Sequence, residues 1–503
     1  MKKWILTICS VILLNATALF AHVGSPDVYA EGQAGPYKLS IVVRPPMVIP
    51  GVAEIDVRAE SKGIENIAIT PVPLVGEASK HPPVPDTMQR TLKDPQFFSG
   101  QLWIMASGSW QIRFAVSGNE GSGVLSIPLP ATAMTIRKMD QPLGTLLAVL
   151  GVLLVLGMVG IVGAATSEAK LPSGLPVSAT NRRRGYIAMT VTFTLLLTVV
   201  LLANHWWTAD AAGYSKNIYK PPELRPALQR NNLLDLKLAD PGWLQQRQFD
   251  DLIPDHNHLM HLYLIRWPQM DVVFHLHPEP VGTGEFQLAL PSMPSGDYHL
   301  YADVVHSNGF PETMAATVRL PEISGRPLSG DDAEGMAKSV AEASVTVVPT
   351  VEGSREERFT LPDGYTMTWH MPNALVAKVP EDFRFELLDP KGTPPADMAL
   401  YMGMLGHAAF VKTDGTVFAH IHPTGTMAMA AFMMANPQSG MESGAEMDMS
   451  NMPGMKMGNT LPNTVSFPYG FPAPGRYRIF VQMKRGNRVE TGIFDAKVQN
   501  PAS

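Results

Sequence analysis

The stretch GHAAFVKTDGTVFAHIHPTG, residues 406–425, holds His407, His420 and His422 in a chain with 14 histidines. Asp414-Gly415 between two strand-like runs predicts a two-residue type I′ hairpin with Thr413 opposite Thr416. In that register His407 faces His422 and Ala409 faces His420. Directly opposed residues share a sheet face, as do residues two apart on one strand. All three imidazoles therefore converge on one side. Neutral imidazole is the commonest transition-metal ligand, and three at this spacing suit one ion. A lone strand histidine is more often a hydrogen-bonded core residue, and a structural network around the His-x-His-Pro turn is the competing reading.

The pattern occurs twice. LMHLYLIRWPQMDVVFHLHPE (259–279) matches LGHAAFVKTDGTVFAHIHPT (405–424), and MPSGDYHLYADVVHSNG (293–309) matches APGRYRIFVQMKRGN (473–487). Two motifs in the same order imply tandem copies of one β-domain. The first copy supplies His261, His275 and His277 across a turn one residue longer, with His256, His258 and His306 as supplementary ligands. The second copy has no histidine matching these last three, so its site is expected to differ. Met402 and Met404 precede His407, and ten methionines crowd residues 427–457, among them Met447, Met449, Met452, Met455 and Met457. The second half of this loop is rich in Gly, Ser, Asn and Pro, so core packing is a poor explanation. Thioethers are soft ligands that favour Cu(I), as imidazoles suit Cu(II). His22, the first residue after the expected signal cleavage, adds an α-amino and imidazole chelate for Cu(II), with Asp27 and His81 as companions.

The elements that carry these residues read as follows. Residues 1–21 have a basic start, an apolar core and small residues up to Ala21, the layout of a secretory signal; cleavage after Ala30 is the alternative. The only cysteine, Cys9, would leave with it, which excludes disulfides, cysteine-based zinc sites and a blue-copper centre. Residues 143–165 and 186–205 form two apolar runs; at 1.5 Å per residue the uncharged stretches reach about 34 and 27 Å, enough to cross a bilayer. Lys170 and Arg182–Arg184 in the loop 166–185 place it in the cytoplasm and both flanks outside. Short strand patterns between Gly, Pro and Ser fill residues 22–138. Residues 206–250 read as a Pro-broken linker, 251–345 as copy 1 and 346–503 as copy 2. The expected fold is mainly β: three Ig-like or cupredoxin-like sandwiches plus a two-helix transmembrane hairpin. A net charge of −6 without a basic tail gives no support to nucleic-acid binding.

The segments HVGSPDVYAEGQAGPYKLSIVVRPPMVIPG and QLWIMASGSWQIRFAVSGNEGSG resemble the FixH/YtkA-like family of exported β-sandwich domains, over about residues 22–130. DHNHLMHLYLI, FHLHPE and YADVVHSNGF are similar to histidine-rich periplasmic domains of bacterial copper-related proteins. The resemblance implies copper handling, or assembly of a copper-containing respiratory oxidase, at the bacterial inner membrane, with a copper transporter or the oxidase as partner. It implies no enzymatic activity. No paired carboxylates, nucleophile–base set or phosphate loop accompany the histidines, although a three-His site with an open position suits water or oxygen activation. The alternative is a non-catalytic assembly subunit whose histidines are structural.

Overall fold

The computed structural model describes residues 26–136, 139–172, 174–244, 246–342, 347–349, 355–437 and 461–501. The chain divides into two units, residues 133–219 and the remainder. The smaller unit is a helical hairpin. Helix α1, Gln141–Glu168, and helix α2, Ala179–Ser215, are longer than the apolar runs alone predict. Both are long and apolar enough to cross a membrane, and their side chains are almost wholly exposed. Gly163 and Gly185 are the buried residues of the pair. A Cβ on Gly163 would lie 2.6 Å from Met189, so the close approach of the helices depends on glycine there.

The larger unit contains three two-sheet sandwiches. Residues 28–131 form a five-stranded and a four-stranded sheet. Module 1, residues 223–336, pairs a four-stranded sheet with a six-stranded inner one, and so includes Glu223–Leu228 and Leu233–Ala239. The expected linker is therefore partly a correction. Glu223–Leu228 tolerates Pro226 because it is an edge strand, and Leu234, Leu236 and Leu238 alternate into the module 1 core. Module 2, residues 347–499, pairs a five-stranded sheet with a six-stranded inner one.

The inner sheets of the two modules pack on each other. In His261–Trp267, Leu262 and Leu264 enter the module 1 core, while Tyr263 and Ile265 meet Ala409, Val411, Phe418 and Phe480 of module 2. In His407–Lys412, Ala408 and Phe410 face the module 2 core instead. Strands buried on both faces read as near-continuous apolar runs, as these do. Arg478, 1% exposed, ties the layers: it pairs with Asp495 at 2.7 Å and donates to the carbonyls of Met270 and Lys338 in module 1.

The predicted register holds: Ala408 pairs with Ile421 and Ala409 with His420. The turn differs. Lys412 N donates to Val417 O and Gly415 N to Lys412 O, so four residues, 413–416, form the loop. Gly415 alone takes positive φ, +77°. The Asp414 carboxylate accepts from Thr416 N, holding a type I geometry that needs no left-handed Asp. The start of the methionine segment is also not a loop. Helix α3, Met429–Ala435, is packed, with Met429 buried. The N-terminal sandwich braces this region through Thr426 N to Tyr29 O, Glu31 N to Thr424 O, and Asn436 to both backbone groups of Ser126.

Candidate metal centre

Each module begins its site with the same tight turn. In Asp255-His256-Asn257-His258 the outer residues exchange backbone hydrogen bonds, and His256 and Asn257 have φ of 50° and 69°. In Tyr401-Met402-Gly403-Met404 the same bonds form, with φ of 49° and 77°. Three residues later each module enters the strand that starts at His261 or His407. A pseudo-two-fold correspondence follows: His256 with Met402, His258 with Met404, His261 with His407, His275 with His420, His277 with His422. It continues on the neighbouring strand, where Asp303 is opposite His261 and Gln482 opposite His407.

The inner sheets thus gather eight histidines in one chamber. Two triads place their ligand nitrogens within 4.8 Å of one another: His261, His275 and His277; and His256, His407 and His422. The second triad crosses the module boundary, because His256 replaces the expected His420. His420 lies between the triads, its ring 5.4 Å from that of His261 and 4.7 Å from that of His422.

Hydrogen bonds fix the tautomers. A carbonyl only accepts, so the nitrogen facing it carries the proton. His256 Nδ1 donates to Met402 O at 2.9 Å and His422 Nδ1 to Met427 O at 3.2 Å. His261 Nε2 donates to Asp255 O at 2.9 Å, and His277 Nδ1 faces the Asp332 carboxylate at 3.0 Å. Tyr401 donates its hydroxyl proton to Asp331 O, so its oxygen accepts from His275 Nδ1 at 3.2 Å, alongside Gln482 Oε1 at 2.9 Å. The opposite nitrogens are left bare. His256 Nε2, His277 Nε2, His420 Nε2, His422 Nε2 and both nitrogens of His407 are buried without a partner. His261 Nδ1 and His275 Nε2, both unprotonated in this assignment, face each other at 3.2 Å. Two nitrogens bound tetrahedrally to one ion at 2.0–2.1 Å lie about 3.3 Å apart. An outer partner on one nitrogen and a free lone pair on the other is the arrangement metal-bound imidazole requires.

Electrostatics keep the rings neutral. Burial is the main cause throughout: it lowers His256 and His422 to about 4 and His261 to about 3. His275, His277, His407 and His420 fall well below the ordinary value, with neighbouring imidazoles adding to burial. Burial also pushes Asp303, which faces His420 Nδ1 at 3.2 Å, up to about 7, and Asp332 up to about 6. Deprotonated ligands ready for a cation are what this set offers.

The remaining predicted ligands divide. His258 stacks on His277 at 3.8 Å and meets Asp331 at 3.4 Å, at the chamber edge. Met402 contributes its carbonyl to His256 and packs beside Tyr401 and Ala333; Met404 is fully buried. His306 is a correction: both its nitrogens are taken, by Asp251 at 2.8 Å and Glu312 at 3.0 Å, outside the triads. His81 is exposed beside Glu77. His22, Met447, Met449, Met452, Met455 and Met457 lie outside the described residues. Gln482, Asp303, Asp332, Tyr401 and the Met427 carbonyl were not anticipated as partners. Overlaying the two repeats would have flagged the Asp303–Gln482 pair.

Residues 359–500, within module 2, match a domain of unknown function, DUF8832. No curated protein matches. Among solved structures, the chain is similar to dimeric latent PorU from Porphyromonas gingivalis, at 9% identity over 95% of this chain and 34% of that one, TM-score 0.14. It is also similar to trypsin-activated alpha-2-macroglobulin from Escherichia coli, at 8% identity over 97% of this chain and 24% of that one, TM-score 0.17. The chain spans about a third or less of these two proteins' lengths, and such TM-scores carry no argument about fold or function.

Proposed function

We propose that this chain is a membrane-anchored copper-binding protein that stores, delivers or detoxifies copper outside the cytoplasm. One observation carries the reading: four buried imidazoles, His256, His277, His420 and His422, each have one nitrogen tethered to a carbonyl or carboxylate and the other bare. Leaving a buried polar nitrogen unpaired costs about 1–3 kcal/mol, so several together favour a shared cation. Copper is preferred because the ligands are imidazoles with thioethers at the equivalent positions of module 2, and the only thiol, Cys9, falls in the expected signal. In this reading α1 and α2 are a two-pass inner-membrane anchor with both flanks in the periplasm, which their apolar length and the basic residues between them support. The FixH/YtkA-like reading of the N-terminal sandwich and a transporter or respiratory oxidase as copper partner belong to the same proposal; catalysis does not.

The test is titration of the purified full chain in detergent with Cu(II), Cu(I) and Zn(II) against chelators of known affinity. Submicromolar binding of either copper state is expected, and changing His407, His420 and His422 together to Ala should remove the share held by the second triad, leaving that of His261, His275 and His277. Failure of both copper states to bind refutes the proposal. The bonds that hold His261 on Asp255 O and His275 on Gln482 and Tyr401 favour a second reading, a structural imidazole network in an assembly subunit. Under it the triple variant loses its fold even without metal.

A further inference from the structure

The two triads are close enough to act as one centre. Within the first, ring centroids lie 4.8–5.4 Å apart, and within the second 4.9–5.0 Å. Between them, His256 lies 6.1 Å from His261 and His275 6.5 Å from His407, scarcely farther. No apolar side chain is needed to fill the gap, because the His420 ring occupies it. That ring lies 5.4 and 5.5 Å from His261 and His275, and 5.5 and 4.7 Å from His407 and His422, with its Nε2 buried and unpartnered. One ion needs three or four nitrogens; the chamber holds eight imidazoles.

Acidic groups border the same chamber. Asp303 faces His420 and Asp332 faces His277, while the Asp255 carboxylate accepts from Ala430 N, and among the described residues none of the three has a Lys or Arg ion-pair partner. Asp331, at the same edge, is paired with Lys484 at 3.2 Å. Carboxyl groups without a basic partner beside the imidazoles suit a cationic occupant. Two-metal sites hold their ions about 3.5–4 Å apart.

We propose that the chamber binds two copper ions as a coupled pair, one in each triad, bridged by a water-derived hydroxide with His420 alongside. The inference rests on the copper-binding reading and goes beyond it in the number of ions and their interaction. Loading the full chain with Cu(II), then measuring bound copper by elemental analysis and unpaired spins by electron paramagnetic resonance, tests it. Two ions per chain with less than half of the corresponding spin intensity are expected. The variants His277→Ala and His422→Ala each remove one triad, and each should hold one ion with full spin intensity. One ion per wild-type chain, or two with full intensity, overturns the pair while leaving copper binding intact. No bound Cu(II) at all overturns the pair, and the copper-binding reading itself falls only if Cu(I) also fails to bind. The wild-type result decides the matter even where a variant fails to fold.

Discussion

Modules 1 and 2 share a turn, a hairpin and a strand pair, yet differ wherever the shared geometry meets the metal site. Module 1 places His256 and His258 where module 2 has Met402 and Met404, and Asp303 where module 2 has Gln482. It anchors His277 on a carboxylate, whereas module 2 anchors His422 on a carbonyl. The partners also cross over: Gln482 of module 2 orients His275, and Asp303 of module 1 faces His420. Neither module completes its surroundings alone, because His256 belongs by position to the other module's triad. The two modules thus present equivalent faces, one acidic and imidazole-rich and the other neutral and softer.

Acid gives the largest expected break between them. A histidine whose folded value is depressed costs nothing above the unfolded value of about 6.5, and stability is lost as pH falls from there toward the folded value. For His256, at about 4, the loss approaches ~3 kcal/mol, and the other buried rings add to it. The raised Asp303 and Asp332 work oppositely, since protonation on acidification favours the fold. The metal-free protein should therefore lose the inner-sheet packing between pH ~6 and ~4. The hairpin 407–421, in which neither nitrogen of His407 has a partner, should exchange its amides before the hairpin 261–276, where Asp255 O holds His261 and Gln482 and Tyr401 hold His275. Hydrogen exchange with mass spectrometry reads the order. Full protection of both hairpins at pH 4 would contradict the buried neutral array.

Next is the cation that joins the modules. Arg478→Ala leaves Asp495 buried without its guanidinium and frees the carbonyls of Met270 and Lys338, which should cost ~3–5 kcal/mol. Its positional counterpart in module 1 is His299, which stacks on Trp267 at 4.2 Å. His299→Ala should cost only ~1 kcal/mol. Urea denaturation of both variants measures the contrast, and equal losses would mean that Arg478 does not hold the interface.

The comparison also shows what the residues alone could reveal. The register of the 407–421 pair followed from the two-residue period of a strand, and survived a turn of different length because loop 413–416 keeps the same opposed positions. The three sandwiches and the helical hairpin followed from alternation and from apolar length. The exchange of His256 for His420 was not legible. Strand periodicity says which side a ring leaves a sheet, but not which second sheet is stacked there. The strand at Glu223–Leu228 was hidden by Pro226, which reads as a breaker unless the edge position is known. His306 looked like a ligand because its neighbours in sequence are ligands; its carboxylate partners come from positions 251 and 312.

His407 offers a sharper separation of metal binding from stability. Both its nitrogens are buried without partners, whereas those of His275 meet Gln482, Tyr401 and His261. His407→Leu should stabilise the metal-free protein by ~1 kcal/mol while removing the second triad's affinity. His275→Leu should destabilise it by ~1–3 kcal/mol, since Gln482 loses its partner. Thermal melts with and without Cu(II) read both effects, and a destabilised metal-free His407→Leu would show an unrecognised partner for that ring.

The smallest effect lies at the far end of the same strands. His306 and Glu312 in module 1 occupy the positions of Arg485 and Glu490 in module 2, which pair at 2.8 Å. The geometry is shared, but one cation titrates and the other does not. Burial lowers the His306 value, yet hydrogen bonds to Glu312 and Asp251 outweigh it and raise the net value. A raised folded value means the contribution is fully present below about 6.5 and is lost as pH rises through the folded value. His306→Arg should therefore gain up to ~1 kcal/mol above that window and nothing below it, making module 1 as indifferent to mild alkali as module 2. Stability measured by urea denaturation at pH 6 and pH 8.5 decides this. An equal change at both values would show that the imidazole is not charged in the folded protein.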